Sequence, residues 1–211
     1  QKHLFSFILC GPPGSGKTTL ARIYANAMGA DFFELSAVDS GKEDLKLILG
    51  EGRTVGKRRS GALAQVLPFA DGSSTPRAKL VFVDGIHRFN KAQQDFLLPF
   101  VERGDITLIG ATTENPSFEV IGALLSRARV FVLNELTEQD MEQIIKRTKL
   151  KVPKDARDWL VQLAQGDARQ AITVLENTQK LYGTISLESL KETIQSKHLR
   201  YDKKGEEHYN T

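Results

Sequence analysis

The sequence holds a single cysteine, Cys10, so no disulfide can close within the chain and nothing in it asks for an oxidising environment. No apolar run approaches the roughly 18 residues that a membrane-spanning helix requires, so no membrane partner is expected. The opening "LFSFILC" is too short for a secretory leader and runs straight into "GPPG", so it reads as a strand. Strong charge of one sign is also missing. Lys and Arg number 29 against 26 Asp and Glu, and the net charge of +3 permits a nucleic-acid partner without arguing for one. Internal repeats and low-complexity stretches are absent. These shortages describe a soluble protein of a reducing, cytoplasmic compartment. What is present is a chain of 211 residues with 40% apolar content, long enough for one sizeable α/β domain and a small companion. It opens at Gln1 and stops at "EEHYNT" without a helix-end signal, so a piece of a longer protein is expected.

From residue 4 to about 134, short β-rich runs alternate with helical patterns. The strands are "FSFILC", "DFFEL", "KLVFVD", "DITLIGATT" and "RVFVL", an alternation that implies a parallel sheet covered by helices on both faces. Lys17 to Met28 carries Leu20, Ile23, Tyr24 and Ala27 at helical spacing and stops before Gly29. The segment "NKAQQDFLLPFVERG" begins with Asn90 as a candidate cap, has Gln93 three residues on, and contains Pro99, which should kink it. Residues 50–78, rich in Gly and Pro and bearing Lys57, Arg58 and Arg59, read as a loop-rich insertion. After "NEL" the pattern is helical throughout, starting with a capping box of Thr137 and Asp140. The expected division is a core over 1–134, a small all-helical domain over 135–196, and the start of a linker over 197–211.

"GPPGSGKTT", Gly11, Pro12, Pro13, Gly14, Ser15, Gly16, Lys17, Thr18 and Thr19, fits G-x-x-x-x-G-K-[ST] at every fixed position, follows a strand and opens a helix. The glycines let the backbone curl so that its N–H groups converge on a phosphate at the positive end of the helix dipole. Lys17 would reach the β- and γ-phosphates and Thr18 would ligate Mg2+. Asp84, ending the apolar strand "KLVFVD", is placed as a second metal-orienting carboxylate. In "IGATT", Thr112 or Thr113 would point at the γ-phosphate region.

With "VDGIHRFNKAQQD", "ITLIGATTENPSFEV", "ALLSRARVF", "GDARQA" and "YDKKGEEHYN" beside the phosphate loop, the chain resembles an AAA+ ATPase of the clamp-loader clade. Within that clade it resembles the replication-associated recombination protein A family, whose eukaryotic relatives include the Werner-helicase-interacting ATPase. The resemblance implies a P-loop NTPase sheet with a helical lid, ATP and Mg2+ as ligands, and homo-oligomers in the full-length protein in which one subunit completes its neighbour's site. It also implies forked or single-stranded DNA and replication proteins as partners, with nucleoid association in a bacterium. Arg127 matches the family's arginine finger, which would stabilise charge on an adjacent subunit's γ-phosphate. Arg169 resembles the lid's sensor Arg, and Thr113 matches the first sensor better than Thr112.

Family members read Asp-Glu-Ile-His-Arg where this chain reads Asp84-Gly85-Ile86-His87-Arg88. That Glu orients the attacking water, and losing a general base typically removes about 10²–10⁴-fold in rate, while phosphate binding needs only the loop, Lys17 and metal. The expectation is therefore an AAA+ protein of replication and recombination maintenance at stalled forks that binds Mg·ATP and hydrolyses it slowly or not at all. Glu114 and Asp95 are the candidate substitutes, and neither spacing predicts rescue. His87 and Arg88 suit a neighbouring subunit, DNA or an ordinary loop role equally. A nucleotide-gated scaffold that binds ATP without consuming it is the alternative, and Gly85 favours it. A small-molecule P-loop kinase shares the loop but leaves the sensor strand, "LLSRAR" and Arg169 unaccounted for.

Overall fold

In the computed structural model the residues described are 4–38, 45, 46, 48 and 78–195. The insertion with Lys57, Arg58 and Arg59, the expected linker over 197–211 and its "YDKKGEEHYN" lie outside them. The order is β1 (Phe7–Cys10), α1 (Lys17–Met28), β2 (Asp31–Ser36), β3 (Lys79–Asp84), a 3-10 turn (Ile86–Arg88), α2 (Lys91–Arg103), β4 (Ile106–Thr112), α3 (Pro116–Glu119), α4 (Gly122–Leu125) and β5 (Arg129–Val132). Three further helices are α5 (Glu138–Arg147), α6 (Lys154–Ala164) and α7 (Ala168–Tyr182), and 187–195 forms α8. The chain divides into a sheet unit, Gln1–Pro12 with Gly16–Leu133, and a helical unit, Asn134–Thr211 together with Pro13–Ser15.

The sheet has five strands in the order β2-β3-β4-β1-β5, and every pairing is parallel. Its strands read as unbroken apolar runs because both faces are covered, and the two-residue period then sorts side chains between them. Ile8, Val81, Val83 and Leu108 face one side, where Ile86, Phe89, Leu97, Phe100 and Leu124 pack on them. Phe7, Leu9, Leu80, Phe82, Ile109 and Ala111 face the other, against Ala21 and Ala25 of α1. The middle strand β4 is buried along its whole length. At the edge, all four residues of β5 are exposed.

Helix α2 begins with a reciprocal cap: Gln93 N–H donates to the Asn90 side chain, and Asn90 N–H donates to Gln93 Oε1 at 3.0 Å. Pro99 lies inside α2, which continues to Arg103. Gln94, 1% exposed, fixes this helix to the segment after β4. Its Nε2 donates to the carbonyls of Phe89 (2.9 Å) and Glu119 (3.0 Å), and its Oε1 accepts from Ile121 N–H at 2.9 Å. A buried amide satisfied on both sides is a specific tether, since any other residue type would strand its partners.

The helical unit has its own core, formed by Met141, Ile145, Ala156, Leu160, Ala171, Leu175 and Leu190 among others. Helix α5 opens with the Thr137–Asp140 capping box: Thr137 Oγ1 donates to Asp140 Oδ2 at 2.7 Å, and Asp140 N–H donates back to Thr137 Oγ1 at 3.2 Å. Among the described residues no helix is long and apolar enough to cross a membrane.

Candidate functional site

In a parallel sheet every strand delivers its last residue to the same edge, so the C-terminal edge is where separate strands can place groups around one ligand. Strand β1 ends at Cys10 and leads into the phosphate loop. The loop is anchored to the neighbouring strand by Gly11 N–H donating to the Thr112 carbonyl at 3.1 Å. It reaches α1 through Gly16, whose φ of 89° lies in the left-handed region that a residue with a side chain rarely adopts. Helix α1 starts without the side-chain cap that α2 and α5 have, and, unlike α5, with no acidic residue in its first turn. The positive end of its dipole thus carries no carboxylate from its own cap or first turn, which suits an anion. The Lys17 ammonium is held within the loop, donating to the carbonyls of Gly11 at 2.8 Å and Pro12 at 2.7 Å.

Asp84 is the exposed last residue of β3, level with Ala111 of β4, and Thr112 is level with Cys10 of β1. The Asp84 carboxylate makes no hydrogen bond or ion pair among the described residues. No group of three or more His, Cys, Asp or Glu that could hold a metal ion occurs among them. That donor set does not make a self-contained metal cage. It does fit Mg2+, which takes one or two protein oxygens and completes its shell with phosphate and water. Thr18, second residue of α1, and Asp84 are the residues that would hold it.

The two threonines ending β4 differ. Thr112 is 1% exposed, and its hydroxyl accepts from Glu114 N–H at 2.9 Å and lies 3.0 Å from His87 Nδ1. Thr113, one residue on, is exposed and makes no side-chain hydrogen bond among the described residues. The His87 ring, 13% exposed, turns its Nε2 to Glu114 Oε1 at 3.6 Å. Cys10 Sγ donates to the Glu114 carbonyl at 3.3 Å. Cys10, His87, Thr112 and Glu114 therefore meet at the root of the phosphate loop. Sequence reasoning does not find this cluster, because its members come from three strand ends and no local spacing marks them.

Gly85, where the resemblance leads one to expect a carboxylate, has φ 72° and ψ 41° and caps the 3-10 turn. A Cβ built there would meet only Arg88 Cδ at 3.7 Å and His87 Cε1 at 3.8 Å, ordinary contact distances. Position 85 thus has room for a side chain, and that side chain would start out beside the His87 ring.

Arg127 sits at the opposite edge. It precedes β5, whose first residue, Arg129, is level with Phe7 at the start of β1. The four residues of β1 span roughly 13 Å, so Arg127 is separated from the chain's own loop by the length of a strand. It forms an ion pair with Glu102 and donates to the Ala123 carbonyl at 2.8 Å and to Ser126 Oγ at 2.9 Å. A cavity of about 700 Å3 opens at this edge, lined by Phe5, Lys79, Glu102 and Arg127 among others. Arg169 belongs to the helical unit, in the first turn of α7. The cap of that helix is Asp167, whose Oδ1 accepts from Gln170 N–H at 2.9 Å.

Residues 7–136 match the ATPase family associated with various cellular activities (AAA), and residues 135–211 match the AAA C-terminal domain. The chain is 44% identical over 206 residues to the ATPase WRNIP1 of Dictyostelium discoideum, covering 93% of this chain and 21% of that protein. It is 38% identical over 226 residues to the replication-associated recombination protein A of Escherichia coli, covering 99% of this chain and 47% of the relative. The chain thus spans half or less of the length of these relatives. Among solved structures it is similar to the RuvB Holliday junction branch migration motor of Thermotoga maritima. That likeness has a TM-score of 0.65 and 26% identity, over 91% of this chain and 61% of the other. The parallel sheet, the phosphate loop and the helical unit are accounted for by one relationship: the chain belongs to the AAA family of ATPases.

Proposed function

We propose that this chain is the nucleotide-binding part of a replication and recombination maintenance protein, and that it holds Mg·ATP firmly while hydrolysing it slowly. The observation that carries the reading is the pairing of a phosphate loop complete in every fixed position with Gly85 after Asp84. Lys17 and the start of α1 bind and neutralise the triphosphate, and Thr18 and Asp84 hold the metal. Thr113 acts as the first sensor. Arg127, a strand's length from its own loop, serves a neighbouring copy's γ-phosphate, and Arg169 is the lid's contribution. Forked or single-stranded DNA and replication proteins are its proposed partners, in keeping with a relative named for replication-associated recombination.

Nucleotide affinity measured beside phosphate release tests this directly. Micromolar affinity with turnover at least a hundredfold below the order of 10 s⁻¹ common among enzymes is expected. Multiple-turnover release near that ordinary rate would reject it. The second reading, a scaffold gated by bound ATP and never consuming it, is favoured by the same Gly85. It predicts no multiple-turnover release at all.

A further inference from the structure

The sheet edge carries a carboxylate to which the nucleotide machinery assigns no role. Glu114 lies two residues beyond the buried Thr112, and its backbone is fixed at both polar groups. Its N–H donates to Thr112 Oγ1 at 2.9 Å, and its carbonyl accepts from Cys10 Sγ at 3.3 Å. Cys10 is the residue from which the phosphate loop departs, so Glu114 is tied to the loop's root. Its side chain remains 54% exposed and is met on one side by His87 Nε2. The other ring nitrogen, Nδ1, faces the Thr112 hydroxyl at 3.0 Å. When that hydroxyl donates to Nδ1 instead of to the Glu114 carbonyl 3.3 Å away, the ring proton resides on Nε2, the nitrogen that lies 3.6 Å from Glu114 Oε1. The same ring lies 3.8 Å from where a Cβ of residue 85 would stand. His87 therefore adjoins both the position where the carboxylate is lacking and a carboxylate delivered from the next strand.

From this geometry we infer that Glu114 takes over the water-orienting role that Gly85 cannot perform, with His87 as its positioning residue. The inference rests on the reading that the loop holds Mg·ATP. In the step it supports, the oxygen of a water molecule bonds to the γ-phosphorus as one of its protons passes to the Glu114 carboxylate. The bond between the γ-phosphorus and the bridging oxygen breaks, its electron pair leaves with ADP, and the proton is then released to solvent. Glu114 extends from a turn rather than from position 85, so slow turnover is what such a substitute should give. Spacing alone predicts no rescue by Glu114; its ties to the loop's root and the His87 contact are what argue for one.

The test measures single-turnover hydrolysis and ATP affinity in the unaltered chain, Glu114→Gln, His87→Ala, and the double variant Gly85→Glu with Glu114→Gln. Glu114 is half exposed, and the amide keeps an acceptor for His87, so folding is preserved and the melting temperature checks it. Glu114→Gln should lower the single-turnover rate at least roughly tenfold with ATP affinity unchanged, the signature of a lost proton acceptor. His87→Ala should give a smaller loss, and the double variant should recover the rate because a carboxylate again stands at 85. An unchanged rate in Glu114→Gln, or no turnover in an unaltered chain that binds ATP, overturns the inference while leaving the binding reading intact. Absence of ATP binding overturns both.

Discussion

Strands β1 and β3 end at the same edge of one sheet, separated only by β4, yet they bring different degrees of completeness to it. After β1 the chain supplies everything that phosphate binding requires: a curled glycine-rich loop, an ammonium held inside it and a helix start left without a side-chain cap. After β3 it supplies one exposed carboxylate and then a left-handed glycine. In the proposed reading, capture of a nucleotide and its hydrolysis depend on separate strand ends, so one could weaken without the other.

The comparison breaks first at β1. Lys17→Ala removes the cation proposed to neutralise the phosphates, and ATP affinity should fall at least a hundredfold in a titration, with the melting temperature of the ligand-free chain nearly unchanged. Retained affinity would show that the loop is not the binding element. At β3 the complementary substitution adds function. Gly85→Glu should raise turnover about a hundredfold, within the range that a general base contributes, and leave affinity within a few fold. The side chain has space, but φ 72° is a left-handed conformation costing a non-glycine residue about 1–2 kcal/mol, so chemical denaturation should show a loss of that size. A gain in rate without the loss would mean that the backbone at 85 relaxes when substituted.

How much of the molecule is legible from sequence depends on where the information lies. The phosphate loop is local, so nine consecutive residues announce it, and the sheet is legible because five apolar runs alternate with helices. The caps at Asn90 and Thr137 are likewise four-residue patterns, and both form. The contacts of His87 are a different matter. Its partners Thr112 and Glu114 lie 25 and 27 positions away, and only the register of β3 with β4 joins them. The same holds for Thr112 and Thr113, since a strand buried on both faces has no polar alternation to say which threonine points inward. Arg127 is legible as a cation before β5, but its ion pair with Glu102 depends on how α2 lies under the sheet.

A smaller effect is expected where the two sides of the site are tied together. Gln94 joins α2, which comes after Asp84, to the Glu119–Ile121 stretch that leads toward Arg127. Gln94→Leu fits the same volume but leaves two carbonyls and one N–H without their partner. Each unsatisfied buried group costs about 1–3 kcal/mol, so unfolding free energy should drop by roughly 2–4 kcal/mol after partial relaxation. A loss well below 1 kcal/mol would mean that water replaces the amide and the tether is not needed.

The smallest predicted effect concerns how the helices begin. Helix α1 has no carboxylate at its start, whereas Asp140 closes the start of α5, and the Thr137 hydroxyl followed by the Thr137 N–H holds its carboxyl below the ordinary aspartate value. Because the folded value is depressed, this contribution to stability is present above the unfolded value, near 3.8, and is lost as pH falls through the folded one. Acidification below about pH 4 should therefore lower the amide protection factors at Asp140 and Met141, whose N–H groups bond to Thr137. Asp140→Asn should remove that acid step, and the first turn of α1, which has no such carboxylate, should show none in either protein. If the α5 amides keep their protection down to pH 2, the cap is held by the threonine alone, and the contrast between a helix start closed by its own side chains and one left open to an anion loses its electrostatic half.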